Sequence, residues 1–397
     1  MALPTIAVLN GGSSSIKFAL YSAASGLQRQ FAGSVRLEPA GGATLTFTDT
    51  TTDPPETGTV SFPAAASVSE CVAGWMAPRA AFSRVRTIGH RVVHGMQRSA
   101  PALVTPALLQ ELRLNQPFDI DHLPLEIQLM EAFTRHAPLV RQLACFDTAF
   151  HADMPRRAKL LPVPRHYEAL GVRRYGFHGL SYAYLTGELR RLGDPAATSG
   201  RVILAHLGGG SSMAAVLAGR CIDTSMGFTP ASGLMMGTRS GDVDPGLVGF
   251  LTRSGHMTAA EFDRMANRDS GLLGVSQLTA DVQELLALES QDVRAAEALE
   301  LFCYQSTKCI GAYVAALGGL DTLVFSGGIG EHAWQLRERI CAGLQCLGID
   351  IDPQRNRSNA PLISSDGSRV SVRVIPTDEE LIIARACAQL PAAGEKE

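Results

Sequence analysis

None of the eight cysteines forms a Cys-x-x-Cys pair, so neither a zinc site nor a disulfide framework is predicted, and the thiols read as reduced core residues. No block of lysine and arginine occurs. With 35 basic against 38 acidic side chains the formal net charge is -3, a balance with no excess positive field to hold nucleic acid. No apolar run reaches the length of a membrane span, and Met1-Ala-Leu-Pro-Thr-Ile6 lacks the basic flank and cleavage pattern of a secretory signal. A cytoplasmic protein without a membrane partner is expected.

What is present is an ordinary globular composition, 46% hydrophobic over 397 residues, long enough for two cores with a boundary near residue 150. The first forty residues alternate apolar runs with Gly and Ser, and 43–62 alternates Leu45 and Phe47 among Thr, Pro and Gly, which predicts hairpins. The spacing turns helical over 104–137, and Leu143-Ala-Cys-Phe146 reads as a buried strand ending at Asp147. A second round starts at Val202-Ile-Leu-Ala205. It continues through a helix carrying Ile310, Tyr313, Val314 and Leu317, stopped by Gly318-Gly319, and then a strand at Thr322-Leu-Val-Phe325. Two related α/β domains with a cleft between them are predicted, followed by a frayed tail from 392 to 397.

Asn10-Gly-Gly-Ser-Ser-Ser-Ile-Lys17 interrupts the first strand pair, and His206-Leu-Gly-Gly-Gly-Ser-Ser212 repeats that interruption. Neither fits a P-loop or a Rossmann fingerprint. A plain hairpin turn explains either one alone. Repeated at equivalent points of two domains, with serine hydroxyls and free backbone N–H groups, they read as paired phosphate cradles, Lys17 adding charge. A third glycine cluster, Ser326-Gly-Gly-Ile-Gly-Glu331, lies between a strand and a helical segment, where α/β sheets receive ligands.

Four polar residues stand in apolar or glycine-rich settings: Arg91, Asp147, His178 and Arg239. Each has a structural use by itself, as an ion pair, a cap, a core histidine or a solvated loop. Together they supply the positive charge and the carboxylate that phosphoryl transfer to an anionic acceptor requires. Pro376-Thr-Asp-Glu-Glu380 adds acids that suit either a metal or a helix start capped by Thr377.

These segments, with His90-Arg-Val-Val-His-Gly95, Phe146-Asp-Thr-Ala-Phe-His151, Tyr175-Gly-Phe-His-Gly179, Thr224-Ser-Met-Gly-Phe-Thr-Pro230 and Gly233-Leu-Met-Met-Gly-Thr-Arg-Ser-Gly-Asp242, resemble the acetate kinases of the acetokinase family, in family order and over nearly the whole chain. The resemblance implies two duplicated ribonuclease H-like, actin-like domains closing on ATP: 1–150 completed by 381–397 on the acyl side, and 151–380 on the nucleotide side. It implies reversible transfer of phosphoryl from ATP to acetate, with Mg²⁺ (or Mn²⁺) and a homodimer. By position, Asn10 and Glu379 would contact the metal and Lys17 the nucleotide. Arg91 would bind the acyl carboxylate beside Val93 and Pro230, Asp147 would be the acid/base residue, and His178 and Arg239 would stabilise the transition state. ATP would be held by His206, Leu207, Gly208, Gly209 and Gly210, by Asp281, Val282 and Gln283, and by Gly328, Ile329, Gly330, Glu331 and His332.

Several positions depart from the family pattern: Asp121 replaces an apolar residue expected near the acyl methyl, Gly209 an Asn, Gln283 an Arg and His332 an Asn, and Gly179-Leu-Ser-Tyr182 stands for Gly-Thr-Ser-His beside His178. They bear on acyl and nucleotide preference. Two alternatives accompany the reading: a kinase of propionate or another short acid, and an actin-like nucleotide switch with no acyl acceptor.

Overall fold

The structure is a computed structural model that describes residues 5–12, 15–23, 26–38, 41–64 and 66–391. Ser13 and Ser14 of the first turn, and the tail from 392, lie outside the described residues. The chain forms two compact units; the first runs to Ala149 and is taken up again at Asp378, and the second is Phe150–Thr377.

The first unit is built on an eight-stranded sheet. Its strands are β1 (Thr5–Gly11), β2 (Ser15–Ser22), β3 (Arg29–Leu37), β4 (Ala43–Asp49), β5 (Glu56–Phe62), β6 (Val85–Val92), β7 (Ala102–Leu103) and β8 (Arg141–Phe146). The hairpins predicted from alternation are there, Leu45 opposite Val60 and Phe47 opposite Gly58. Strand β1 pairs antiparallel with β2 and parallel with β6, which pairs parallel with β8. The helical stretch divides into Pro106–Asn115 and Leu123–His136; the first is capped by Thr105, whose hydroxyl accepts from Leu108 N–H at 3.2 Å. Proline stands in the first turn of each, Pro106 first and Pro124 second, where its missing N–H costs nothing.

The second unit carries a five-stranded sheet of β9 (Arg201–Leu207), β10 (Ser211–Leu217), β11 (Arg220–Thr224), β12 (Thr322–Ser326) and β13 (Ser371–Val374). Its order, β11-β10-β9-β12-β13, repeats the β3-β2-β1-β6-β8 segment of the first sheet: an antiparallel meander followed by two parallel strands. This is the duplication that the repeated Gly/Ser turns announced. The helix Val293–Leu317 buries Ile310, Tyr313 and Leu317 and ends at Gly318 with φ +71°, as its spacing predicts.

The last helix, Glu379–Ala388, starts differently from its sequence expectation. Asp378 and not Thr377 is its cap, Asp378 Oδ1 accepting from Leu381 N–H at 2.9 Å. Thr377 belongs to the second unit, its hydroxyl 2.8 Å from Ser181 Oγ. Aspartate is preferred over threonine at a helix N-cap, and its carboxylate here reaches the N–H three residues on. The helix lies so close to β6 that a Cβ on Gly89 would stand 2.3 Å from Ile383 Cγ2 and 2.8 Å from Cys387 Sγ. Only glycine permits that approach. Among the described residues no helix is long and apolar enough to cross a membrane, and all eight cysteines are free thiols.

Candidate active site

In the first unit, Asn10 lies one residue from the end of β1, Arg91 one residue from the end of β6, and Asp147 follows β8 directly. The parallel register aligns Val92 with Phe146, and Asp147 N–H donates to Val92 carbonyl at 2.9 Å. Three adjacent strands therefore deliver three polar side chains to the carboxyl end of the sheet, the place where open α/β sheets bind ligands. Arg91 donates to Asp147 Oδ2 from Nη2 at 2.6 Å and from Nε at 3.1 Å, and to Asn10 Oδ1 from Nη1 at 3.1 Å. Asn10 Nδ2 donates to Glu379 Oε2 at 3.0 Å, joining the last helix to the cluster.

Asp147 is fully buried, and among the described residues its Oδ1 has no hydrogen-bond partner. Burial raises its pKa, Arg91 opposes the rise and Glu379 adds to it. Burial works against the Arg91 charge too, but Asp147 and Glu379 outweigh it and raise its pKa. Val93 N–H donates to both carboxylate oxygens of Glu126, at 3.0 and 3.2 Å. Glu126 is a buried acid whose pKa is raised by burial and by Asp119. The sequence reading passed over it. Its signal was available: Glu126 occupies the apolar stripe of Leu123, Ile127 and Met130, where a carboxyl is out of place. Asp119, also buried, accepts from His122 Nδ1 at 2.8 Å, and Asp121 is half-buried in the same turn. Lys17 is exposed on β2 and lines a separate, smaller cavity with Arg29 and Glu380.

In the second unit His178 is the N-cap of the helix Gly179–Arg191 with φ +59°, a left-handed conformation that is uncommon for a residue with a side chain. Its Nδ1 is 2.9 Å from Ser212 Oγ, and its ring stacks on His206 with centroids 4.3 Å apart. His206 and Ser212 are register partners in the β9–β10 hairpin, so one rung presents both. Arg239 comes to the same place: a Cβ on Gly210 would stand 3.2 Å from His178 Nε2 and 3.7 Å from Arg239 Nη1. Arg239 Nη1 donates to the Pro230 carbonyl at 3.5 Å, which puts Pro230 beside it.

One correction concerns the second turn. Its serines were expected to offer hydroxyls to phosphate, yet Ser211 and Ser212 are fully buried. Ser211 Oγ is spent on the Gly208 backbone, and Ser212 Oγ on His178 and Tyr182. Buried hydroxyls must find partners, and here protein supplies them.

The glycines themselves border a cavity of about 800 Å³, with Gly208, Gly209, Asp281, Val282, Gln283, Gly328, Ile329 and His332 in its wall. Gly327, at φ +75°, turns the third cluster against β9, where a Cβ would lie 2.6 Å from Leu207 carbonyl. His206, Leu207, Gly210, Gly330 and Glu331 are not in the cavity wall. Leu207 is core, and Glu331 Oε1 accepts from Gly327 N–H at 2.9 Å and Thr377 N–H at 3.1 Å, holding the loop closed. Asp281 caps the next helix, accepting from Gln283 and Glu284 N–H groups at 2.7 and 3.1 Å.

Behind the loop Arg337 is wholly buried and donates to five oxygens without a carboxylate: Gly330 and Glu331 carbonyls, Asn356 Oδ1 and carbonyl, and Asn359 Oδ1. Burial lowers its pKa to about 10. Nothing local in the sequence distinguishes this arginine from its exposed neighbours.

A hard divalent cation fits the first cluster. Asn10 and Glu379 each carry oxygen ligands and are joined through Asn10 Nδ2, while Asn10 Oδ1 accepts from Arg91 Nη1. Among the described residues no three His, Cys, Asp or Glu gather as a metal cage. Few protein ligands, with phosphate and water supplying the rest, is the Mg²⁺ pattern.

A duplicated α/β fold with a glycine-bordered cavity in one unit and a buried Arg–Asp pair in the other defines an actin-like phosphotransferase. The profile of the acetokinase family matches residues 5–385. An acetate kinase of Rhodopseudomonas palustris (strain TIE-1) is 43% identical over 98% of both chains. Solved structures agree: the Porphyromonas gingivalis acetate kinase superposes with a TM-score of 0.86 at 34% identity, covering 97% of this chain and 98% of that one. A propionate kinase of Francisella tularensis superposes at 0.90 with 33% identity, covering 98% and 100%. The chain belongs to the acetokinase family, and it is a phosphotransferase with a carboxyl group as acceptor.

Proposed function

We propose that the protein transfers the γ-phosphoryl group of ATP to acetate, reversibly, giving acetyl phosphate and ADP. The observation that carries this reading is the Arg91–Asp147 pair at the strand ends, with Asn10 and Glu379 joined to it. An actin-like switch has no need of a partly buried arginine at the strand ends poised for a carboxylate.

Acetate is ionised at neutral pH, so its oxygen needs alignment and charge compensation rather than a strong base. Arg91 binds that carboxylate, with Val93 and Pro230 bounding the methyl. Asp147, its ionisation disfavoured by burial, orients Arg91 and holds or releases a proton at Oδ1. His178, set by Ser212, and Arg239 donate to the equatorial oxygens of the phosphoryl group as charge builds on them. The glycines at 208, 209 and 328 present backbone to the nucleotide, and Lys17 adds charge. Asn10 and Glu379 would hold Mg²⁺, or Mn²⁺ in its place, which when bound offsets charge on the phosphates.

A second acid is favoured by one observation: a propionate kinase shares this fold as fully as the acetate kinase does. Turnover with acetate, propionate, butyrate and no acid, trapping acyl phosphate as hydroxamate, decides between them. Acetate-dependent turnover is expected. Preference for a longer acid would move the substrate, and ADP release indifferent to acid would replace the kinase by the switch. The family resemblance supports a cytoplasmic homodimer, and the helix Pro245–Arg253, none of whose residues is buried, leaves Phe250 exposed. Sedimentation reads the oligomeric state.

A further inference from the structure

The glycines account for one part of the cavity wall and leave another unassigned. Leu286, Ala287 and Trp334 also line it, and none of them carries the charge or backbone turn that a phosphate needs. Trp334, the first residue of the helix Trp334–Ala342, is partly exposed. Its position is determined from behind. Its carbonyl accepts from Asn356 Nδ2 at 2.9 Å, and Asn356 is in turn clamped by Arg337 through Oδ1 and its carbonyl, both at 2.8 Å. The Arg357 guanidinium lies over the indole, 5.1 Å from the ring centre. A cation thus covers the ring while the residue borders the cavity. An indole restrained in this way loses little rotamer freedom when a flat ligand arrives, so stacking there is cheap in entropy.

Gln283 and Gln335 also line the cavity, and each amide both donates and accepts. We propose that Trp334 is the nucleobase platform of this cavity, stacking on a purine whose edge the Gln283 and Gln335 amides contact. The proposal rests on the reading of the cavity as the nucleotide site.

The test compares Trp334→Ala and Trp334→Phe with the unaltered protein, using ADP and inorganic tripolyphosphate, which has no base. The chain has two tryptophans, so indole emission is a usable reporter. ADP is expected to quench it, and Trp334→Phe to abolish the quench. Trp334→Ala should weaken ADP binding and raise the KM for ATP roughly tenfold, leaving tripolyphosphate inhibition and the KM for acetate unchanged. Trp334→Phe should recover part of the affinity. Equal weakening of ADP and tripolyphosphate would show a loop collapse instead and overturn the proposal; so would unaltered ADP affinity in Trp334→Ala. Ala287→Trp, which fills the cavity from its rim, separates the two readings: it should block ADP, and full ADP binding there would remove the nucleotide reading itself.

Discussion

The two units share a five-strand topology but build their sites from opposite materials. The first gathers polar side chains at the ends of parallel strands and at the start of the last helix and pairs them: Arg91 with Asp147, Asn10 with Glu379. The second borders its cavity mostly with backbone and neutral groups, glycines at 208, 209 and 328 and the amide of Gln283, commits the one wall carboxylate, Asp281, to a helix cap, and keeps His178 and His206 on hydroxyls. Charge pairs suit a small anion that must be gripped in one orientation, because bidentate ion pairs are directional. Glycine backbone suits a large polyphosphate with many oxygens, which needs close approach more than charge. Duplicating a sheet therefore does not duplicate its chemistry; the residues at the strand ends decide it.

The sharpest way to break this division is Arg91→Ala. It leaves Asp147 buried without its cation, so the kcat/KM for acetate should fall by about a thousandfold with some loss of stability, while ADP affinity holds. Unchanged acetate kinetics would refute the acyl assignment. Arg337→Met is the counterpart in the second unit. Five oxygens lose their donor, and stability read by urea unfolding should drop by roughly 3–5 kcal/mol, with ADP affinity falling and the acetate KM unmoved.

Acid titration probes both units at once. His90, donating to Gln142 Oε1, and His151, donating to Phe177 carbonyl, are buried and each pushed down to about 4 from an ordinary 6.5. The unfolded chain takes up protons that the folded one refuses, so the stability is fully present above pH 6.5 and is lost as pH falls toward 4. Each histidine accounts for about 3 kcal/mol of that loss. His90→Gln should flatten the profile through the first unit and His151→Gln through the second. The smallest effect belongs to Gly209→Asn, which restores the residue expected from the family resemblance. Nothing lies within 4 Å of a Cβ there, so the melting temperature should not move and the KM for ATP should change by about threefold or less.

The long, periodic segments were legible in the sequence. The helix ending at Gly318 and the strands at 143–146, 202–205 and 322–325 follow from spacing and from glycine punctuation. The polar site residues were conspicuous because each interrupted an apolar or glycine-rich run. Glu126 was missed because it sits in a helix that looked wholly structural. Ser211 and Ser212 were misjudged because a turn's sequence does not tell which way its hydroxyls are spent. Thr377 lost the cap to Asp378 by one residue, a choice made by backbone geometry at the point where the chain passes between units.

By itself the sequence determined the element types, the duplicated order of turns and the identity of the polar groups, since periodicity, glycine conformation and side-chain chemistry are local properties. Only the tertiary structure decided which of those groups meet. Asn10 finds Glu379 and Arg91 finds Asp147 through strand register and the return of the last helix. Whether such a group is charged, neutral or already engaged depends on distance and burial, and these are set in space by packing rather than along the chain.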